Sequence, residues 1–189
     1  MTPQELAQKL HGVPGRGCVA VTGAGIQAIS DLFSQPGTSR TILEALVPYA
    51  RKALDEFVGI QAGQHVSAEE AGLIAEAALK RARHLADAPD SAIPAAGESP
   101  EPELLFGIGC TAAVATDRVR RGEDRAHVAW TDGTRSGGTS IWFDKSARTR
   151  EEEDTIVSAI VLNSIAEVVG VEERLAIEML STERLDELD

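Results

Sequence analysis

Tyrosine occurs once in this chain, tryptophan and cysteine twice each and phenylalanine four times, so aromatic residues make up only 4% of it. Two cysteines are too few for a disulfide framework or a cysteine metal cluster. Cys18 and Cys110 each fall in an apolar, strand-like stretch and read as reduced, buried thiols. No apolar run approaches the roughly 20 residues that a bilayer span needs. The start, "MTPQELAQKLHG", has neither a basic nor an apolar leader region. A soluble, cytoplasmic protein without a membrane partner is expected. Positive charge is scarce as well. Eighteen basic residues against 30 acidic ones leave a net charge of -12, which disfavours nucleic acid, because its binding depends on cationic neutralisation of phosphate. No motif calls for a metal or a cofactor.

What is present suffices for one sizeable core: 43% of the 189 residues are hydrophobic. The expected organisation is an α/β domain over residues 1 to 170, followed by a short helix and an acidic tail over 171 to 189. The charge is uneven. Between Asp117 and Arg150 there are eight basic and five acidic residues, so this segment is +3 and the remainder -15. One or two of its arginines could hold a phosphorylated metabolite, since the planar guanidinium matches phosphate oxygens. For most of them, pairing with local acids on a solvated face is the simpler reading.

Thr2, Pro3 and Glu5 form an N-cap, a first-turn proline and a capping-box glutamate, which predict a helix over 3 to 11. "GCVAV" (17 to 21) reads as a buried strand, "TGAG" as a turn, and Ile26, Ile29, Leu32 and Phe33 recur at helical spacing. Ser67 caps a long helix rich in alanine, with Glu70 three residues on. Residues 87 to 102 contain four prolines and read as an exposed loop. "ELLFGIGC", "RAHVAW" and "TSIWFD" are short β-rich runs, and Thr149 with Glu152 caps a further helix that is apolar around much of its circumference.

Strands interleaved with helices argue for an α/β layered domain whose ligands bind beyond the carboxyl ends of the strands. The glycine turns stand there. Amides exposed by Gly23 and Gly25 in "VTGAG", or by Gly109 beside Thr111 in "GIGCT", could bind an oxyanion, although a tight turn explains them equally well.

The stretch "SQPGTSRTILEALVPYARKALDEFVG" (34 to 59) poses the sharpest question. Pro36 and Gly37 supply a turn, Thr38 or Ser39 can cap the segment after it, and Pro48 pushes Val47 towards extended geometry. One helix therefore cannot span 39 to 58. "ARKALDEFVG" reads as a helix ended by Gly59. Ser39 and Tyr49 then flank a turn and an extended piece whose side chains could face a pocket. His65 precedes the Ser67 cap. His127 lies on a strand, on the same face as Arg125 and Ala129, where a lone histidine is more often structural than catalytic.

The run "PGTSR", a tyrosine ten residues after its serine, a helix ending "FVG" and then "QHVSAEEAGLIAEAAL" resemble the CinA C-terminal family over about residues 15 to 170. A closer similarity, carried by "PGTSRTILEALVPYA", "RGEDRAH" and "TREEED", is to the CinA-like region that precedes a nucleotidylyltransferase-like domain in some larger proteins. The family includes nicotinamide mononucleotide deamidases. The resemblance therefore implies a layered sandwich with a central mixed sheet flanked by helices, a pyridine-nucleotide pocket, an amidase reaction and self-association. Ser39 falls on the second serine of the family's "PGSS" and Tyr49 on the tyrosine of its "YSNEAK". The lysine of that motif falls on Leu54, with Lys52 displaced by two residues. "AESCTGG" becomes "VAVTGAG" here, and "SGIAGP" becomes "GIGCTAAV".

Two functions are compatible with these residues. One is a binding module for a phosphorylated pyridine nucleotide or similar metabolite, with a degenerate amidase site. The other is an active amidohydrolase with Ser39 and Tyr49 as catalytic residues. In both, Gly23, Gly25, Gly37, Thr38, Ser39, Gly109, Thr111, Arg125 and His127 are the expected ligand contacts, with Arg125 on phosphate and His127 as its partner. A homo-oligomer, most simply a two-fold dimer, is expected because strands such as "TSIWFD" need more cover than two long helices supply.

Overall fold

A computed structural model describes residues 1–87, 104–117 and 120–188; the expected proline-rich loop at 87 to 102 lies, apart from Asp87, outside them. Among the described residues six strands form one mixed sheet. They are β1 (Arg16–Thr22), β2 (Ile42–Leu46), β3 (Leu105–Ala113), β4 (Arg125–Thr131), β5 (Ser136–Trp142) and β6 (Arg184–Leu188), in the order β2-β1-β3-β4-β5-β6. β2, β1 and β3 run parallel, and the remaining neighbours are antiparallel. Helices α1 (Pro3–Leu10), α2 (Ile26–Phe33) and α5 (Arg150–Val168) cover one face, while α3 (Arg51–Val58) and α4 (Ala68–Ala86) cover the other. None of these helices is long and apolar enough to cross a membrane.

Helix starts follow the capping chemistry. The Thr2 and Thr149 hydroxyls accept from the amides of Glu5 and Glu152, whose carboxylates return the bond to the cap residues, and Ser67 accepts from the Glu70 amide. These bonds satisfy donors that the first helical turn leaves open.

The two faces of the sheet pack differently. Against α5 lies a core of large side chains, including Leu6, Leu10, Leu32, Phe106, Ile108, Ile141 and Ile165. Against α4 the contact is close and made of small residues. A Cβ on Gly107 would come within 2.1 Å of the Ala75 carbonyl, and one on Gly109 within 2.3 Å of the Ala71 carbonyl. The glycines of "GIGCT" therefore lie inside β3 and let a helix sit on the sheet. Gly109 is not an anion-binding turn.

Cys18 and Cys110 are free and buried, and burial pushes both thiols up, Cys18 to about 12.

The carboxyl-terminal segment departs from expectation. Residues 171 to 180 carry no helix and β6 completes the sheet, so the chain beyond 170 is part of the domain. Side chains hold it extended. Asn163 on α5 donates to the Leu175 carbonyl (2.9 Å) and accepts from its amide (2.8 Å), while Arg148 grips both carboxylate oxygens of Glu183 (2.7 and 2.8 Å). Val171 and Leu175 are buried in the core, and the Val171 amide donates to the Ala166 carbonyl (2.8 Å).

Candidate functional site at the carboxyl ends of the parallel strands

The 2-1-3 portion of the strand order places the ends of β1 and β3 side by side, and open sheets bind ligands in the crevice beyond such ends. A cavity of about 240 Å³ lies there, lined by Thr22, Gly23, Tyr49, Arg51, Leu54, His65, Val66, Thr111 and Ala112. Tyr49 is 63% exposed at its mouth. Arg51, in the first turn of α3, is exposed and has no hydrogen bond or ion pair among the described residues. The cavity wall formed by the loop between α3 and α4 is tied down from the sheet. The Thr111 hydroxyl donates to the His65 carbonyl, and the Arg125 guanidinium donates twice to the Val66 carbonyl (3.0 and 3.3 Å). Thr111 thus lines the cavity, whereas Arg125 is committed to holding its wall. Among the described residues that line the cavity, the arginine without a hydrogen-bond or ion-pair partner is Arg51.

His127 is 4% exposed. Its Nδ1 shares a hydrogen bond with the Ser140 hydroxyl (2.7 Å), its Nε2 has no partner, and its ring meets Trp142 edge to face. Burial, with the Arg125 charge behind it, lowers its pKa to about 4, so the ring is neutral at pH 7. It lies opposite Thr111 in the β3–β4 register and supports the cavity floor without lining the cavity.

The glycine turn after β1 also has a different use from the one expected. Gly23 has φ +85°, and a Cβ there would reach within 2.0 Å of the Ala112 carbonyl, so only glycine lets β1 end against β3. The amides of Gly25, Ile26 and Gln27 point at the Asp154 carboxylate of α5 (2.7, 3.3 and 3.3 Å). The anion at this helix start is the protein's own.

Gly37, Thr38 and Ser39 are at the other end of the sheet. A 3₁₀ turn, Thr38–Arg40, precedes β2 with Gly37 at its cap in a left-handed conformation (φ +102°). The Thr38 hydroxyl donates to the carbonyls of Leu32 and Gln35 (both 2.9 Å), closing the end of α2. Ser39 is exposed and caps nothing. β2 separates it from Tyr49 by roughly 13 Å, at about 3.3 Å per residue. The two residues paired by the sequence reading therefore do not share a site. Leu54, where the resembling motif has its lysine, is 3% exposed and packs with Ala20 and Ile74.

Most of the described basic residues of this segment are engaged within the fold. Arg120 pairs with Asp124, Arg135 with Asp132 and Arg148 with Glu183, while Lys145 and Arg150 donate to main-chain carbonyls. Sequence reasoning missed Arg51 at the cavity. The signal available for Arg51 was its place at the start of a helix directly after Tyr49.

No family model matches the sequence, and no curated protein matches it. Solved structures match its fold over most of its length. The competence/damage inducible protein CihA from Agrobacterium tumefaciens has 16% identity and a TM-score of 0.59, with 90% of this chain and 96% of that one covered. A competence-damaged protein (CinA) superfamily protein from Escherichia coli has 16% identity and a TM-score of 0.59, with 88% of each chain covered. Its counterpart from Enterobacter cloacae has 17% identity and a TM-score of 0.63, with 90% and 92% covered.

Proposed function

From the fold of the CinA-superfamily proteins as premise, we propose that this chain binds a phosphorylated pyridine nucleotide, or a similar phosphorylated metabolite, in the cavity beyond β1 and β3. One observation carries the reading: an arginine without a partner among the described residues, Arg51, and an exposed aromatic ring, Tyr49, stand together at a cavity in the place where such sheets take ligands. Arg51 supplies a fork for phosphate, and Tyr49 a face for a heteroaromatic ring. Thr22 adds a hydroxyl from the end of β1.

The serine–lysine route of the resembling deamidases is degenerate in this reading. Ser39 lies outside the cavity, and Leu54 cannot take a proton. Titration calorimetry with nicotinamide mononucleotide and with its dephosphorylated nucleoside tests the reading. Tighter binding of the phosphorylated form by about tenfold or more is expected from one charge-assisted contact. Equal affinities, or no binding of either, would overturn it.

A further inference from the structure

A cavity of about 240 Å³ is small for the ligand proposed above, since pockets that bury most of a small molecule enclose roughly 300 to 1,000 Å³. Enclosing a nucleotide there requires a wall that yields. Much of the lining is firmly built. Thr22 and Thr111 face each other in the β1–β3 ladder, and Leu54 anchors α3 on Ala20 and Ile74. The wall formed by His65 and Val66 belongs to the loop between α3 and α4, and it is attached differently. Residues 60 to 66 make no hydrogen bond from main chain to main chain among the described residues. Two side chains tie them to the sheet: the Thr111 hydroxyl donates to the His65 carbonyl, and the Arg125 guanidinium donates twice to the Val66 carbonyl (3.0 and 3.3 Å). Asp55 takes the Ala62 amide (3.4 Å) and bonds the His65 ring (2.9 Å), but it belongs to α3 and adds nothing to the hold of the sheet. Packing does not brace the segment at its glycines either. Gly59 ends α3 with φ +82°, and a Cβ on it or on Gly63 would meet nothing within 4 Å. A segment with few packed contacts and side-chain tethers opens at far lower free energy than the whole fold.

We propose that residues 60 to 66 are a moving wall of this cavity and that Arg125 is the positioning residue that closes it, acting through the Val66 carbonyl without lining the cavity itself. What the wall encloses rests on the binding reading above, whereas the motion rests on how the loop is attached. Opening parts the His65 and Val66 carbonyls from Thr111 and Arg125 and gives both to water, so no polar group is stranded. Closing restores three hydrogen bonds and shuts the ligand in. Arg125 therefore governs how long a ligand stays rather than how fast it arrives.

The test combines NMR relaxation dispersion, stopped-flow kinetics with nicotinamide mononucleotide and the melting temperature, for the full chain, Arg125→Ala and Arg125→Lys. In the unmodified protein microsecond-to-millisecond exchange should be found at the amides of 60 to 66 and at Thr111, and saturating nucleotide should quench it. Arg125→Ala should raise the open population and the dissociation rate by about tenfold each, with the association rate within about threefold. Arg125→Lys keeps one donor and should recover part of both. A purely structural arginine would lower the melting temperature and leave the dissociation rate of the folded molecules unchanged, which would overturn the role of Arg125. If Arg125→Ala fails to fold, Arg125→Lys carries the test through the same split between dissociation and association. Flat dispersion at 60 to 66 would overturn the moving wall whether or not the nucleotide binds. Exchange there that the Arg125 variants enhance, with no nucleotide bound, would overturn the binding reading and leave the moving wall standing.

Discussion

At the amino end of β2 the polar side chains of Thr38, Arg40 and Thr41 all donate to main-chain carbonyls, of Leu32 and Gln35, of His11 and of Leu10 respectively. At its carboxyl end Arg51 and Tyr49 stand over a cavity, and Arg51 has no partner among the described residues. The amino end carries the more conspicuous sequence, a Pro-Gly turn followed by two hydroxyls. The carboxyl end carries the chemistry still available to a ligand. A hydroxyl bonded to the backbone closes a helix or a turn. A donor left unpaired at a concave surface is free to bind something else. Asp154 makes the same point within the carboxyl end, because it occupies the amides of α2 that an anion would otherwise use.

Acid should break this contrast most strongly. His127 titrates at about 4 in the fold against an ordinary 6.5. Its folded value is depressed, so the unfolded chain binds the proton first, and the stability that neutral His127 contributes is present above pH 6.5 and lost as pH falls from 6.5 towards 4. The loss is at most about 3.4 kcal/mol. Because His127 lies opposite Thr111, hydrogen exchange at pH 4.5 should accelerate in β3, β4 and the His65 loop before it does in α2 and the 3₁₀ turn. Uniform acceleration at both ends would count against the assignment.

A smaller effect sharpens the comparison within the carboxyl end. Asp154→Ala removes the acceptor of three amides and should cost about 1 to 2 kcal/mol in urea unfolding. The variant should also gain stability from added phosphate where the unmodified protein gains less. An unchanged midpoint and no phosphate effect would show that these amides need no anion.

Much of the fold was legible because its signals are local. The capping triads at Thr2, Ser67 and Thr149, the glycine that ends α3 and the apolar runs of β1, β3, β4 and β5 each stand within a few residues of what they specify. β2 and β6 were not legible as strands. "ILEAL" and "RLDEL" have no alternation that favours a sheet, and each is placed by a ladder partner distant in sequence, β1 for the first and β5 for the second. The candidate site was legible in its position beyond the parallel strands and in Tyr49 and Thr111. It was illegible in its charges, because Arg125 and Arg51 look alike until Val66 claims the first. The glycines at 107 and 109 misled for a related reason, since a helix pressing on a strand needs the same residue as a loop cradling an anion.

The most direct measurement titrates nicotinamide mononucleotide into two variants, one from each end of β2. Arg51→Ala should weaken binding about tenfold or more while leaving the melting temperature unchanged, because an exposed, unpaired arginine supports little of the fold. Ser39→Ala should alter neither affinity nor stability, within about 0.5 kcal/mol. Affinity that is lost with Ser39→Ala and kept with Arg51→Ala would place the site at the amino end and contradict the assignment of the cavity.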